Sequence, residues 1–326
     1  MLEVSTGSRL HFGLLELAVG QPLRFGGLGL MLNEPGWRLR FGSNSGVQNA
    51  SCHASEPITI DIEARIEQVR ERLQRQFGCD LDTNIGVLQT LPMHSGLGAG
   101  TQLAAAVAIG LSIYAKLTTE PTIDELIHFS GRGKRSGIGL FGFMHGGLIL
   151  DEGHSPEGLR SLRANSVALN CDWRIVLIVP DQIEAVTGGY ETSLMERLGQ
   201  TRNTNRERMY ALAKLAQELA DVDGGFAKFT EALQEYVDAA GQLFAAGQGG
   251  MYNGKSVSRA VELAKETGLR AVGQSSWGPT VFGFAEHQGE AEQMAIKLTE
   301  LRPNERWQIR ICTPARQGAS WRWIEN

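Results

Sequence analysis

Pro92-Met-His-Ser-Gly-Leu-Gly-Ala-Gly-Thr-Gln102 is the stretch on which the fold turns. Before it, Ile85, Val87, Gln89 and Leu91 alternate as on a strand, and after it an Ala-rich run to Ala115 reads as a helix. Glycines placed between a strand and a helix let the backbone turn sharply and aim several N–H groups at one point. The helix N-terminus adds partial positive charge, so an anion is favoured there. Gly96, Gly98 and Gly100 supply the turn, and Ser95 and Thr101 can add hydroxyl donors. A string of this spelling also serves as a plain structural turn, and the spelling alone leaves both readings open.

Working outward, Ile62, Ile66, Val69, Leu73 and Phe77 recur at three- and four-residue intervals, which predicts an amphipathic helix over Asp61–Phe77 ending at Gly78. Thr122 with Glu125 three residues on forms a capping-box pattern opening a helix over Ile123–Phe129. Phe143–Asp151 reads as a strand broken by Gly146–Gly147, followed by a polar stretch near His154–Asn165. Trp173–Pro180 reads as a strand, and helical patterns fill Glu191–Gly199, Arg206–Asp221, Phe226–Ala246 and Val257–Thr267. Pro279–Phe284, a helix over Glu290–Leu301, and Trp307–Cys312 close the chain. For 326 residues this predicts an α/β (α+β) chain in two domains, 1–165 and 166–326.

The bulk numbers narrow the function classes. A net charge of −5 argues against a nucleic-acid partner, which calls for a basic domain or stripe. The four cysteines, Cys52, Cys79, Cys171 and Cys312, form no CxxC pair, as expected of a reduced, cytoplasmic chain. No apolar run approaches the ~20 residues of a membrane span, and Glu3, Arg9 and His11 occupy the place of a signal peptide's apolar stretch. The seven histidines show no HxH or HExxH spacing, so no dedicated zinc or iron site is expected. The glycine string lacks both the GK[ST] ending of a Walker loop and the Rossmann spacing.

The string is similar to the central motif, Pro-x-x-x-Gly-Leu-Gly-Ser-Ser, of the galactokinase, homoserine kinase, mevalonate kinase and phosphomevalonate kinase (GHMP) superfamily. Gly131–Gly147 resembles that superfamily's middle Gly-Gly region, and Gly273-Gln-Ser-Ser-Trp-Gly-Pro-Thr280 stands in the place of its third glycine motif. The resemblance implies a GHMP-kinase-like two-domain fold. Its N-terminal domain would resemble the second domain of ribosomal protein S5, its C-terminal domain would be ferredoxin-like, and the site would lie between them in a homodimer. The chain departs from the kinase pattern in two places. Mevalonate-type members read Ser-Gly-x-Asp, with the Asp as base, where this chain has Ser136-Gly-Ile-Gly139; and Ala99-Gly100 replaces the Ser pair that helps hold phosphate and magnesium.

Four stretches resemble more closely the β-ribofuranosylaminobenzene 5′-phosphate synthase family, a branch of that superfamily. They are Arg9-Leu-His-Phe-Gly-Leu-Leu-Glu16, Arg24-Phe-Gly-Gly-Leu-Gly-Leu30, Gly131-Arg-Gly-Lys-Arg-Ser-Gly-Ile-Gly139 and Ser275-Ser-Trp-Gly-Pro-Thr280; Glu16 stands where the family has Asp. The resemblance implies decarboxylating phosphoribosyl transfer from phosphoribosyl pyrophosphate to 4-aminobenzoate or 4-hydroxybenzoate. The products would be a C-riboside, carbon dioxide and pyrophosphate, in tetrahydromethanopterin biosynthesis. Magnesium would travel on the substrate phosphates, and no ATP would be required. An ATP-dependent kinase and a noncatalytic phosphate-binding relative are the competing readings.

A polyanionic substrate on an acidic protein needs a concentrated local positive field. Arg132, Lys134 and Arg135 in the glycine-rich Gly131–Gly139 turn offer one, with the arginines suited to bidentate phosphate contact and Lys134 acting as a point charge. Ser136, Arg9 and His11 join them as expected substrate-binding residues. Arg24 is expected to anchor benzoate or pyrophosphate, and Glu16 to orient or deprotonate. Ser275, Ser276 and Trp277 are placed to close over the site, with Trp277 stacking on the aromatic substrate. Asp151 and Glu191 are the candidate magnesium contacts, though magnesium held through phosphates needs few protein ligands.

Overall fold

The computed structural model describes residues 1–42, 59–133, 135–154, 163–180, 188–200, 202–302 and 307–325, with only the backbone described over 188–192. The chain opens with two long strands, β1 (Leu2–Glu16) and β2 (Phe25–Gly42), paired antiparallel from Leu2↔Phe41 to Glu16↔Phe25. Two irregularities interrupt the pairing, at Thr6/Ser8 and His11/Gly13. Such bulges re-aim the side chains beside them, and the second one governs the site described below.

Helix α1 (Ile60–Phe77) follows, buries Ile62, Ile66, Val69 and Leu73, and stops at left-handed Gly78 as the periodicity predicts. After β3 (Asn84–Gln89) the glycine loop leads into α2 (Ala99–Tyr114), whose residues from Gln102 to Ile113 are all buried. A helix enclosed on every side carries no polar face. Its small residues allow close approach: a Cβ on Gly110 would overlap the Phe41 ring. α3 (Ile123–Ser130) opens with the expected Thr122–Glu125 capping box. α4 (Ile138–His145) then takes Phe143–His145, which the sequence reading placed in a strand. Gly146 (φ 70°) and Gly147 (φ 79°) end that helix, so the strand β4 begins only at Leu148 and runs to Asp151.

β5 (Ala164–Val167) pairs with β4 and belongs to the first sheet, so that sheet continues past residue 165. The second sheet starts with β6 (Arg174–Val179), followed by α5 (Gly188–Leu198), α6 (Arg206–Leu219), α7 (Phe226–Gln248) and α8 (Gly254–Thr267). It is completed by β7 (Arg270–Gln274), β8 (Val281–Ala285), α9 (Gln288–Glu300) and β9 (Gln308–Cys312). Its order is β7-β8-β6-β9, all antiparallel, the order of a ferredoxin-like sheet. The chain then returns: β10 (Ser320–Trp323) pairs with β1 at the edge of the first sheet.

One apolar core joins the halves. Phe12 of β1 meets Phe282 of β8 with ring centroids 4.9 Å apart and Phe284 of the same strand at 6.2 Å. Among the described residues no helix is long and apolar enough to cross a membrane.

Candidate active site

A cleft of about 370 Å³ opens where the middle of β1, the turn after α3, α7 and the turn after β7 converge. From the expected set, Arg9, His11, Thr101, Arg132, Arg135, Ser136, Ser276 and Trp277 line it. Lys134 lies outside the described residues.

The bulge in β1 aims His11 inward. Its Nδ1 accepts from the Gly13 N–H at 3.2 Å, so Nε2 carries the proton and faces Ser136 Oγ at 3.3 Å. Burial first, and Arg9 second, push the imidazole pKa well below its usual value. His11 is therefore a neutral donor that orients the Ser136 hydroxyl. Tyr236 of α7 fastens the same bulge to the second domain, donating to Gly13 O at 2.8 Å while accepting from Leu28 N at 3.1 Å.

The remaining loop residues act as stitching. Ser275 Oγ donates to Gly96 O at 2.8 Å and accepts from His11 N at 3.1 Å. Thr280 Oγ1 donates to Ser95 O at 2.6 Å, and Ser95 Oγ donates back to Pro92 O at 2.7 Å. A Cβ on Gly96 would lie 2.6 Å from Ser275 O, so the missing side chain is what lets the third glycine segment close on the loop. Ser95, Gly96 and Ser275 hold the cleft's walls together rather than lining it.

Arginines fill the space beside the other glycines. Gly98 caps α2 at φ 75°, and a Cβ there would stand 3.0 Å from Arg9 Nε. A Cβ on Gly100 would stand 3.0 Å from Arg65 Nη1, and one on Gly131 would run into Arg72 Nη1. Burial, then Arg65 and Arg72, hold the Arg132 pKa below its usual value, with Asp61 opposing. The sequence reading missed Arg65 and Arg72, because on α1 they look like any solvated charge of an amphipathic helix. It also missed the opposite wall, built from Met195, Phe244, Met251 and Tyr252 beside Trp277, with Phe244 edge-on to Trp277 at 4.9 Å. Apolar residues of α7 carry no local mark that separates a cleft wall from a core.

Two expected catalytic residues need correction. Glu16 is fully buried outside the cleft lining, where Oε1 accepts from Leu17 N (2.9 Å), Ala18 N (2.8 Å) and Asn203 N (3.2 Å). Arg24 donates to Leu17 O at 2.9 and 3.2 Å and lies over the Phe25 ring, also outside the lining. Both side chains fasten the β1–β2 connection by bonding its backbone groups, which in a buried turn must find partners. Asp151 is likewise buried: its carboxylate accepts from Gly137 N (2.7 Å) and Gly153 N (2.9 Å), anchors the start of α4, and has its pKa raised by burial. The Glu191 side chain lies outside the described residues. Among the described residues no group of three or more His, Cys, Asp or Glu could hold a metal ion.

A split-sheet N-terminal domain, a ferredoxin-like C-terminal domain and an arginine-rich cleft between them define a GHMP-type enzyme. The family models concur: GHMP kinases N terminal domain matches residues 64–147 and GHMP kinases C terminal matches residues 202–303. Mevalonate kinase of L. major, solved with R-mevalonate, superposes with a TM-score of 0.64 over 96% of both chains at 16% identity, a likeness of fold alone. Two curated relatives carry the same name, β-ribofuranosylphenol 5′-phosphate synthase. The one from Methanothermobacter thermautotrophicus is 28% identical over 88% of this chain and 89% of its own, and the one from Archaeoglobus fulgidus 28% over 91% and 92%. The chain belongs to the β-ribofuranosylaminobenzene (ribofuranosylphenol) 5′-phosphate synthase family of the GHMP kinase superfamily. It is an enzyme of the pentosyltransferase class.

Proposed function

We propose that the enzyme transfers a phosphoribosyl group from phosphoribosyl pyrophosphate to the carboxyl-bearing ring carbon of 4-hydroxybenzoate or 4-aminobenzoate, releasing carbon dioxide and pyrophosphate. The observation that carries this reading is the asymmetry of the cleft. One wall presents Arg9, Arg132 and Arg135, the other Met195, Phe244, Met251 and Trp277, and no Asp or Glu appears among the described lining residues. A polyphosphate suits the first wall and an aromatic ring the second.

The bond changes need no base. A ring electron pair at the carboxyl-bearing carbon forms the bond to C1 of the ribose, and the C1–O bond breaks with its pair going to pyrophosphate. The ring–carboxylate bond then breaks, its pair restores aromaticity, and carbon dioxide leaves. No proton moves at the ring, which fits a site whose histidine is held neutral and whose described lining contains no carboxylate. The protein's task is to stabilise charge gathering on the leaving group, the work of preorganised guanidinium groups. Ser136, held by His11 Nε2, offers an oriented hydroxyl at the ribose. Magnesium, where used, would be held through substrate phosphate oxygens, since the described lining supplies cations and hydroxyls rather than carboxylates.

The relatives' name, with a ribofuranosylphenol as product, favours the hydroxyl-bearing acceptor, and this reading puts the product at the entry to tetrahydromethanopterin biosynthesis. Incubating the enzyme with phosphoribosyl pyrophosphate and each carboxyl-labelled benzoate tests the proposal. Labelled carbon dioxide and pyrophosphate should appear in equal amounts without ATP. No release from either acceptor, with ATP consumed instead, would reject it.

A further inference from the structure

Three arginines gather beside the cleft: Arg132 lines it next to Gly131, Arg72 stands against Gly131, and Arg65 stands against Gly100 of the glycine loop. Arg65 and Arg72 come from one face of α1, seven residues apart, and Arg132 comes from the turn after α3. Two glycines make this meeting possible. Gly100 leaves the space occupied by Arg65 Nη1, and Gly131, itself a lining residue, leaves the space occupied by Arg72. All three arginines are half-buried, so their charges are partly withdrawn from water yet remain within reach of a ligand.

Among the described residues their compensation is thin. Asp61 is the carboxylate paired with Arg65, at 3.5 Å, and the same carboxylate also pairs with His94 at 3.1 Å. Burial lowers the Arg132 pKa most, and the repulsion of Arg65 and Arg72 lowers it further. Three like charges with one carboxylate beside them among the described residues cost stability unless an anion joins them. Arg9 comes from a different element: it reaches in from β1 to stand against Gly98, whereas Arg65 and Arg72 reach in from α1 to stand against Gly100 and Gly131, the latter the neighbour of Arg132. The cations at the cleft thus arrive from two sides, with Arg9 on β1 and the larger group on α1 and the turn after α3.

We infer that Arg65, Arg72 and Arg132 form the diphosphate subsite, receiving the more highly charged end of the donor, while the Arg9 side of the cleft receives the ribose 5-phosphate. This rests on the phosphoribosyl-transfer reading and adds to it two helix-borne residues and a direction for the substrate. The diphosphate is both the larger charge and the leaving group, so the three-arginine centre is where added positive charge lowers the barrier most.

Isothermal titration of the full chain with inorganic diphosphate and, separately, with ribose 5-phosphate separates the possibilities. Arg65→Gln with Arg72→Gln should weaken diphosphate binding by about tenfold or more, the worth of lost charge-assisted contacts, and leave ribose 5-phosphate binding within about threefold. Arg72→Lys, which keeps the charge and stem but loses the planar fork, should show a smaller loss and guards against a double variant that fails to fold. Unchanged diphosphate binding in the double variant overturns the assignment, as does a loss confined to ribose 5-phosphate or equal losses of both. Wild-type protein that binds neither probe but binds ATP would instead remove the phosphoribosyl-transfer reading itself.

Discussion

Replacing Glu16 by Gln separates a fastening residue from one that acts on substrate. In the native protein Oε1 receives three backbone N–H groups, from Leu17, Ala18 and Asn203, at 2.8–3.2 Å. Gln retains one carbonyl oxygen at that point but loses the charge. Hydrogen bonds to a charged acceptor are worth ~1.5–3 kcal/mol each against ~0.5–1.5 for neutral ones, so three weakened bonds set a gross loss of about 3–4.5 kcal/mol. Relief from burying a charge returns part of it, leaving a net loss of ~1–3 kcal/mol. Urea unfolding followed by fluorescence of the six tryptophans should show an earlier midpoint. Turnover measured well below that midpoint should stay within about threefold, because this carboxylate touches nothing in the cleft. A fall in kcat of a thousandfold with the midpoint unmoved would show that Glu16 acts on substrate and that the fastening account is wrong.

Three further outcomes follow from the geometry. Gly98→Val puts a β-branched residue at φ 75°, a backbone region costing ~1–2 kcal/mol for an L-residue, and drives a side chain into Arg9. Pyrophosphate release should be lost, and a folded variant that keeps it would show that the loop does not shape the site. Because His11 has a folded pKa lowered from 6.5, its stability contribution is complete above that pH and is lost as pH falls toward the folded value. His11→Gln should remove that part of the slope in urea midpoint between about pH 7.5 and 5, and parallel slopes for the two proteins would contradict the assignment. Gly139→Asp restores the kinase base position, but its Cβ would stand 3.0 Å from Thr101 Cγ2, so phosphoribosyl transfer should fall without ATP turnover appearing. Rising ADP production with phosphoribosyl transfer untouched would favour the kinase reading.

Local pattern was enough for much of the fold. The intervals Ile62, Ile66, Val69, Leu73 specify α1, the Thr122–Glu125 pair starts α3, and the apolar run from Arg174 to Val179 is β6. In each, neighbouring residues alone set the period or the cap. β5 and β10 escaped because both are short and neither buries a residue fully, with no apolar alternation to betray them; each is a strand because β4 or β1 lies alongside.

The site divides along the same line. Arg9, His11, Arg132, Arg135, Ser136, Ser276 and Trp277 were legible from short motifs and do meet in one cleft. Motif proximity misled at Glu16 and Arg24, since their position in sequence could not reveal that the β1–β2 turn would use both side chains for its own backbone. Arg65 beside Gly100 and Arg72 beside Gly131 are contacts between segments 35 and 59 residues apart. The sequence by itself determined most of the elements, the glycine turns and the family. Tertiary structure alone decided which charges converge, because a charge on a helix face is solvated or functional according to what remote packing places opposite it.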